Sequence, residues 1–260
     1  MVRDIRNNIM NRRKFVNMAG VGAVALSSTP ILSLAEEKTK IKGIAFDAFP
    51  IFDPRSVLEL VNNLYPDKGT ALTATWRTAQ FEYTWLRTSS GQYKDFWQVT
   101  EDALVFAAKK NGIDMGVHDR KKIMDSYLNL NPWSDVLPTL DALKKMDIRL
   151  CFLSNFTAEM LSANIKNAKL EGYFEHLLST DRVKAFKPSP LAYQMAIDSL
   201  KLKKKEIAFA AFAGWDAVGA KWFGYPTFWV NRQNMPLDQL GASPDEIGKD
   251  LTNLPGFVKS

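Results

Sequence analysis

A carboxylate, a hydroxyl, an ammonium and a second carboxylate occur in that order at Asp47, Ser154, Lys187 and Asp216. Asp47 closes a short apolar run that begins at Ile41, and its length and flanks fit a buried strand. In the same reading Ser154, Lys187 and Asp216 also lie just after strands. Ligands of open parallel sheets sit at the carboxyl ends of the strands. The four groups are therefore placed to make a charged small-molecule site. Each alone has a plainer explanation. An aspartate after a strand is most often a turn or cap residue, a Ser-Asn pair an N-cap, and Lys-Pro surface punctuation. The set, in this order and spacing, is what is specific.

Other chemistries are poorly supplied. There are two histidines, His118 and His176, which argues against a histidine zinc site or a Ser-His-Asp triad. The one cysteine, Cys151, sits in the apolar run Leu150–Leu153 and reads as a small buried hydrophobe. With one cysteine the chain can form no internal disulfide.

The elements that must position these groups fall into two patterns. From Arg55 to about Leu130 the apolar residues recur at helical spacing: Val57, Leu60 and Leu64; then Trp76, Phe81, Trp85 and Leu86; then Phe96, Val99 and Phe106; then Ile123 and Tyr127. Turn signals at Pro66-Asp67, Ser89-Ser90-Gly91 and Asn111-Gly112 divide this stretch into four helices. After Pro132 helices alternate with short apolar strands at Ile148–Leu153, His176–Ser179, Ile207–Phe212 and Thr227–Val230. That alternation predicts right-handed βαβ units and an α/β, doubly wound parallel-sheet, Rossmann-like core with an all-helical cap insertion. The expected domains are 36–52 with 132–260 for the core and 53–131 for the cap.

Residues 1–35 read as an address rather than as fold. They hold five of the basic residues and one acid, and so account for four of the six net positive charges. Without them little remains to attract nucleic acid. Asn11-Arg12-Arg13-Lys14-Phe15-Val16 is similar to a twin-arginine signal, and an apolar small-residue segment from Met18 to about Leu34 follows it. Ser33 and Ala35 suit a cut before Glu36. The expectation is an exported, periplasmic chain with no stable membrane association after export.

The full set of motifs resembles the type II haloacid dehalogenases, the (S)-2-haloacid dehalogenases. The matching segments are Lys42–Asp47, Leu153-Ser154-Asn155, Lys187-Pro188 and Trp215–Ala220. Trp76-Arg77, Glu82–Arg87 and Thr100–Leu104 match in the helical stretch, and Phe223–Thr227 and Val230-Asn231-Arg232 near the end. The resemblance implies that Asp47 displaces halide from C2 of a 2-haloalkanoate, giving an alkyl ester that water hydrolyses. It makes Arg77 the halide-binding arginine, Lys187 the lysine that orients the nucleophile, Ser154 the substrate-carboxylate clamp and Asp216 the carboxylate that helps activate water. Asn155 and Phe96 match part of the halide cradle, Phe49 and Trp215 its apolar walls, and Tyr193 a tyrosine set behind them. It implies no cofactor and no metal, a small carboxylate and halide as partners, and a homodimer through the helical insertion.

The chain departs from the family pattern where water is handled. Pro50 stands for a glycine and Ile51 for a threonine after the nucleophile, Phe156 for a glycine, and Ala211 and Ala213 for a serine and an asparagine. A binding protein for a small carboxylate is the alternative this raises. A phosphatase of the same superfamily needs a second aspartate two residues after the nucleophile, where this chain has Phe49.

Overall fold

The computed structural model describes residues 39–260. The signal-like segment 1–35 lies outside the described residues.

In chain order the elements begin with β1 (Gly43–Phe46), β2 (Phe52–Asp53) and four helices, α1 (Arg55–Leu64), α2 (Gly69–Ser90), α3 (Phe96–Lys110) and α4 (Val117–Ser126). Then come β3 (Asn131–Pro132), α5 (Val136–Lys145), β4 (Arg149–Ser154), α6 (Ala158–Asn167), β5 (His176–Ser179) and α7 (Pro190–Leu200). The chain ends with β6 (Ile207–Ala211), α8 (Gly214–Phe223), β7 (Thr227–Val230), β8 (Glu246–Gly248) and α9 (Leu254–Lys259).

Six strands form one sheet in the order β5-β4-β1-β6-β7-β8. Every neighbouring pair is parallel. Buried strands with helices on both faces read as continuous apolar runs, and β1, β6 and β7 are buried at every position. The faces still alternate. Ile44, Phe46, Phe152, Ala210 and Phe228 join one apolar cluster with residues of α5, α6 and α9. Ala45, Cys151, Leu153, Phe209 and Trp229 join another with residues of α7 and α8. Period-two alternation thus sets both layers of a doubly wound core.

β2 and β3 pair antiparallel, with Phe52 opposite Pro132 and Asp53 opposite Asn131. They join the segments that enter and leave the four helices. Local chemistry fixes the helix ends. Asp95 caps α3 by accepting from the Gln98 N–H at 2.8 Å, and Gly91 ends α2 at φ 68, a left-handed turn that suits glycine.

Several expectations are corrected. The helix read as beginning at Asp216 begins two residues earlier, at Gly214, so Asp216 lies inside the first turn of α8. Lys187 lies well beyond β5, in the loop that precedes α7, and Ser154 is the last residue of β4 rather than the first after it. Trp85, Leu86 and Phe106, which belong to the helical spacing, are exposed by 39%, 63% and 41%. β8 and α9 had no sequence signal: Glu246-Ile247-Gly248 is no apolar run.

Candidate active site

β1 is the central strand, with β4 on one side and β6 on the other. The chain runs outward from β1 in both directions, so the crevice opens where their carboxyl ends meet. Asp47 follows β1 directly, and its N–H donates to the Ala210 carbonyl of β6 at 3.1 Å. Ser154 ends β4 and Asn155 follows it. Phe212 and Ala213 lead from β6 into α8, whose first turn carries Trp215 and Asp216. That turn places the Asp216 carboxylate at the positive end of the helix dipole.

Lys187 is the hub. Its side chain is 1% exposed. Its Nζ donates to Asp47 Oδ1 at 2.7 Å and to Asp216 Oδ2 at 2.6 Å. Its backbone N–H donates to Asn155 Oδ1 at 3.0 Å, which ties the lysine loop to the end of β4. Tyr193, from α7, donates its hydroxyl to Asp216 Oδ1 at 2.7 Å. Both Asp216 oxygens are therefore held. Asp47 Oδ2, by contrast, has no protein donor among the described residues.

One cation serves two carboxylates, and the imbalance governs the ionisation. Burial pushes the Asp216 carboxyl up to about 6; Lys187 opposes that shift and the nearby Asp47 charge adds to it. Burial also works against the Lys187 ammonium, but the Asp216 and Asp47 charges outweigh it and hold its pKa above the ordinary lysine value. Tyr193 is pushed well above the usual phenol range by burial and by the Asp216 charge, so it stays a donor.

Asp47, Lys187 and Asp216 line a largely enclosed cavity of about 20 Å³. Its polar side chains are Asp47, Ser154, Asn155, Lys187 and Asp216. Apart from Ala213, the rest of the lining is aromatic: Phe49, Phe81, Phe96, Phe156, Phe212 and Trp215. Of the residues singled out from sequence, eight thus share one cavity. Tyr193 does not line it but stands behind Asp216. Arg77 does not line it either. Its guanidinium lies over the Phe49 ring at 5.2 Å and the Phe81 ring at 4.9 Å, and donates to Gln80 Oε1 at 3.1 Å.

Phe81 and Phe212 were not foreseen in the wall. Phe212 follows β6 as Asp47 follows β1, and that spacing was the available signal. Trp133 and Arg232 were missed as well. The Trp133 Nε1–H donates to the Phe49 carbonyl at 2.9 Å, and Arg232 donates to the Pro50 carbonyl at 2.8 Å, so both hold the loop after the nucleophile. Among the described residues no three His, Cys, Asp or Glu side chains gather where a metal ion could sit.

Comparison with known proteins follows the same residues. The family model for haloacid dehalogenase-like hydrolases matches residues 55–224. An (S)-2-haloacid dehalogenase of Pseudomonas sp. (strain YL) is 40% identical over 220 residues, covering 84% of this chain and 94% of that protein. A crystal structure of an L-2-haloacid dehalogenase superposes with a TM-score of 0.83 at 37% identity, covering 85% of this chain and all of the other. The L-2-haloacid dehalogenase from Xanthobacter autotrophicus, solved with chloropropionic acid covalently bound, superposes with a TM-score of 0.79 at 30% identity, covering 85% and 99%.

Proposed function

The chain belongs to the type II haloacid dehalogenases of the haloacid dehalogenase-like hydrolases, enzymes of carbon–halide bonds, and we propose that it hydrolyses small (S)-2-haloalkanoic acids through an ester on Asp47. The observation that carries this reading is the state of Asp47. One oxygen is pinned by Lys187 at 2.7 Å and the other is without a protein donor among the described residues, at the wall of a largely enclosed cavity whose remaining lining is mostly aromatic. A carboxylate is a poor nucleophile in water because it is hydrated. A dry site that holds it in line removes that cost.

Asp47 Oδ2 attacks C2, and the carbon–halogen bond breaks with its electron pair on the halide. Inversion at C2 follows from attack opposite the leaving group. Ser154, with neighbouring backbone N–H groups, receives the substrate carboxylate, and Asn155 faces the departing halide with Phe96. Lys187 offsets its charge and holds Asp47. Arg77 supplies positive charge beside the aromatic wall for the departing halide. Water then adds to the Asp47 Cγ, a proton passes toward Asp216, and the 2-hydroxy acid leaves as the carboxylate re-forms. The net change is haloacid and water to hydroxy acid, halide and a proton.

The second half depends on holding a water, and Ile51, Ala211 and Ala213 offer it no hydroxyl or amide. A lost hydrogen bond to a charged group costs about 1.5–3 kcal/mol. The ester therefore accumulates. Incubation with (S)-2-chloropropionate is expected to release chloride and to leave a propionate-sized mass on the peptide containing Asp47. Asp47→Asn is expected to release none. Chloride release by that variant at the wild-type rate would move the nucleophile elsewhere. Absence of chloride release from the wild type would return the site to carboxylate binding alone.

The reading extends to location and assembly. The Arg12-Arg13 segment supports export by a twin-arginine route, with a mature N-terminus at Glu36 in the periplasm. N-terminal sequencing of the protein from a periplasmic fraction tests this, and an intact Met1 in the cytoplasmic fraction alone would refute it. The exposed Trp85, Leu86 and Phe106 support pairing of two copies through α2 and α3.

A further inference from the structure

Resting on the hydrolase reading, we infer that this site selects by size at C2: haloacetate is its best substrate, and each carbon added at C2 lowers turnover. The largely enclosed cavity of about 20 Å³ is close to the space of one water. Even the smallest haloacid must therefore press the wall outward, and the walls differ in how far they give.

The substrate's bonds at C2 divide the cavity. Asp47 takes one side and the halogen leaves opposite it. The carboxylate needs the polar lining, which is confined to Ser154, Asn155 and the Lys187 ion-pair centre. The remaining substituent then meets aromatic rings. In a haloacetate that substituent is hydrogen; in a longer acid it is alkyl.

Those rings are interlocked. Phe156 stacks on Phe96 at 5.6 Å and meets Phe49 edge-on at 5.2 Å. Phe212 lies against Phe49 at 5.6 Å. Phe96 and Phe156 are each 1% exposed, so neither can swing into solvent. Pushing a methylene into such packing forces side chains off their rotamers. Phe156 carries the most of this restriction. It touches both Phe49 and Phe96, and its own N–H donates to Ser154 Oγ at 3.1 Å, which anchors it beside the carboxylate clamp. It is a specificity-determining residue, not a catalytic one.

The test measures halide release from chloroacetate, (S)-2-chloropropionate and (S)-2-chlorobutyrate by the mature chain. One methylene in a closed apolar pocket changes kcat/KM by roughly 10- to 200-fold. The expected order is chloroacetate first, with a drop of at least about tenfold to chlorobutyrate. Phe156→Leu and, separately, Phe212→Leu remove ring volume while keeping the wall apolar. Either is expected to narrow the chloroacetate-to-chlorobutyrate ratio severalfold. Asp47→Asn, which cannot react, reports binding of the same acids by ligand-observed NMR and is expected to show the same order. Equal kcat/KM across the three acids overturns the inference while leaving the hydrolase reading intact. An unchanged ratio in both leucine variants also overturns it. If the wild type releases no halide, the hydrolase reading fails. The size order in Asp47→Asn then decides the inference alone: tighter chloroacetate supports it, and equal binding overturns it.

Discussion

Lys187 holds two carboxylates with one charge, and the pH response of the site follows from that shortage. Asp216, pushed up to about 6 chiefly by burial, is ionised above that pH and protonated below it. Only the ionised form can take a proton from water. Ester hydrolysis is therefore expected to rise through a limb centred near pH 6, a value that belongs to the coupled Asp47–Lys187–Asp216 group rather than to one residue. No upper limb is expected below pH 9, because Lys187 is held above its ordinary value. A pH profile of steady-state chloride release checks this. A limb that persists unchanged in Asp216→Asn would remove Asp216 from the water step. The charged members of this centre were legible from sequence only as a set, because their order and spacing match the family pattern while each alone suits a turn, a cap or a surface loop. The aromatic wall was legible in part, since the resemblance named Phe49, Phe96 and Trp215. Phe81 and Phe212 were not, because they have the composition of ordinary core and only their shared cavity distinguishes them from it.

The loop after the nucleophile is held from outside by one short element pair. Trp133, just past β3, donates its backbone N–H to the Ile51 carbonyl at 3.1 Å and its indole N–H to the Phe49 carbonyl at 2.9 Å. Arg232 bonds the Pro50 carbonyl and pairs with Asp135, with both Asp135 oxygens at 2.9 Å. The Trp133 ring lies between the Arg55 and Arg232 guanidiniums, at 4.6 and 4.4 Å. Three consecutive carbonyls beyond Asp47 are thus fixed by residues that follow the four helices or β7. Ile51 has no hydroxyl to do this from within. Trp133→Phe keeps the ring and deletes one donor, worth about 1 kcal/mol. The expected result is a roughly fivefold loss of kcat with KM and melting temperature nearly unchanged. A fall in melting temperature with kcat intact would make Trp133 a folding residue only. This clamp was not readable in advance, because its members are far apart in sequence and each suits an ordinary surface loop. The main strands and helices were readable, since short apolar runs and helical spacing are local. β8 was not: its pairing with β7 comes from backbone position, not from side chains that announce a strand.

At the scale of the whole molecule, α2 links the outer surface to the site. Trp85, 39% exposed, meets Trp215 edge-on at 5.6 Å, and Trp215 lines the cavity. Phe81, one turn earlier, meets the same Trp215 at 5.3 Å. Leu86 and Phe106 add apolar surface on α2 and α3, with Phe106 against Tyr83 at 6.1 Å. Large exposed apolar residues on two adjoining helices mark an interaction surface more often than single scattered ones do. A two-fold pairing lets the same patch cover itself. Pairing of α2 with its copy would bury Trp85 and so stiffen the Trp215 wall. Sedimentation equilibrium of the mature chain is expected to give a dimer mass. Leu86→Glu places a charge where the two copies meet and is expected to give a monomer that remains folded, because Leu86 is 63% exposed within one chain. The monomer is also expected to show a raised KM with kcat less affected, since the wall loosens while the Asp47–Lys187–Asp216 centre lies beyond its reach. A wild type that sediments as a monomer at every concentration would refute the pairing. A Leu86→Glu monomer with wild-type KM would keep the pairing but cut its link to the cavity.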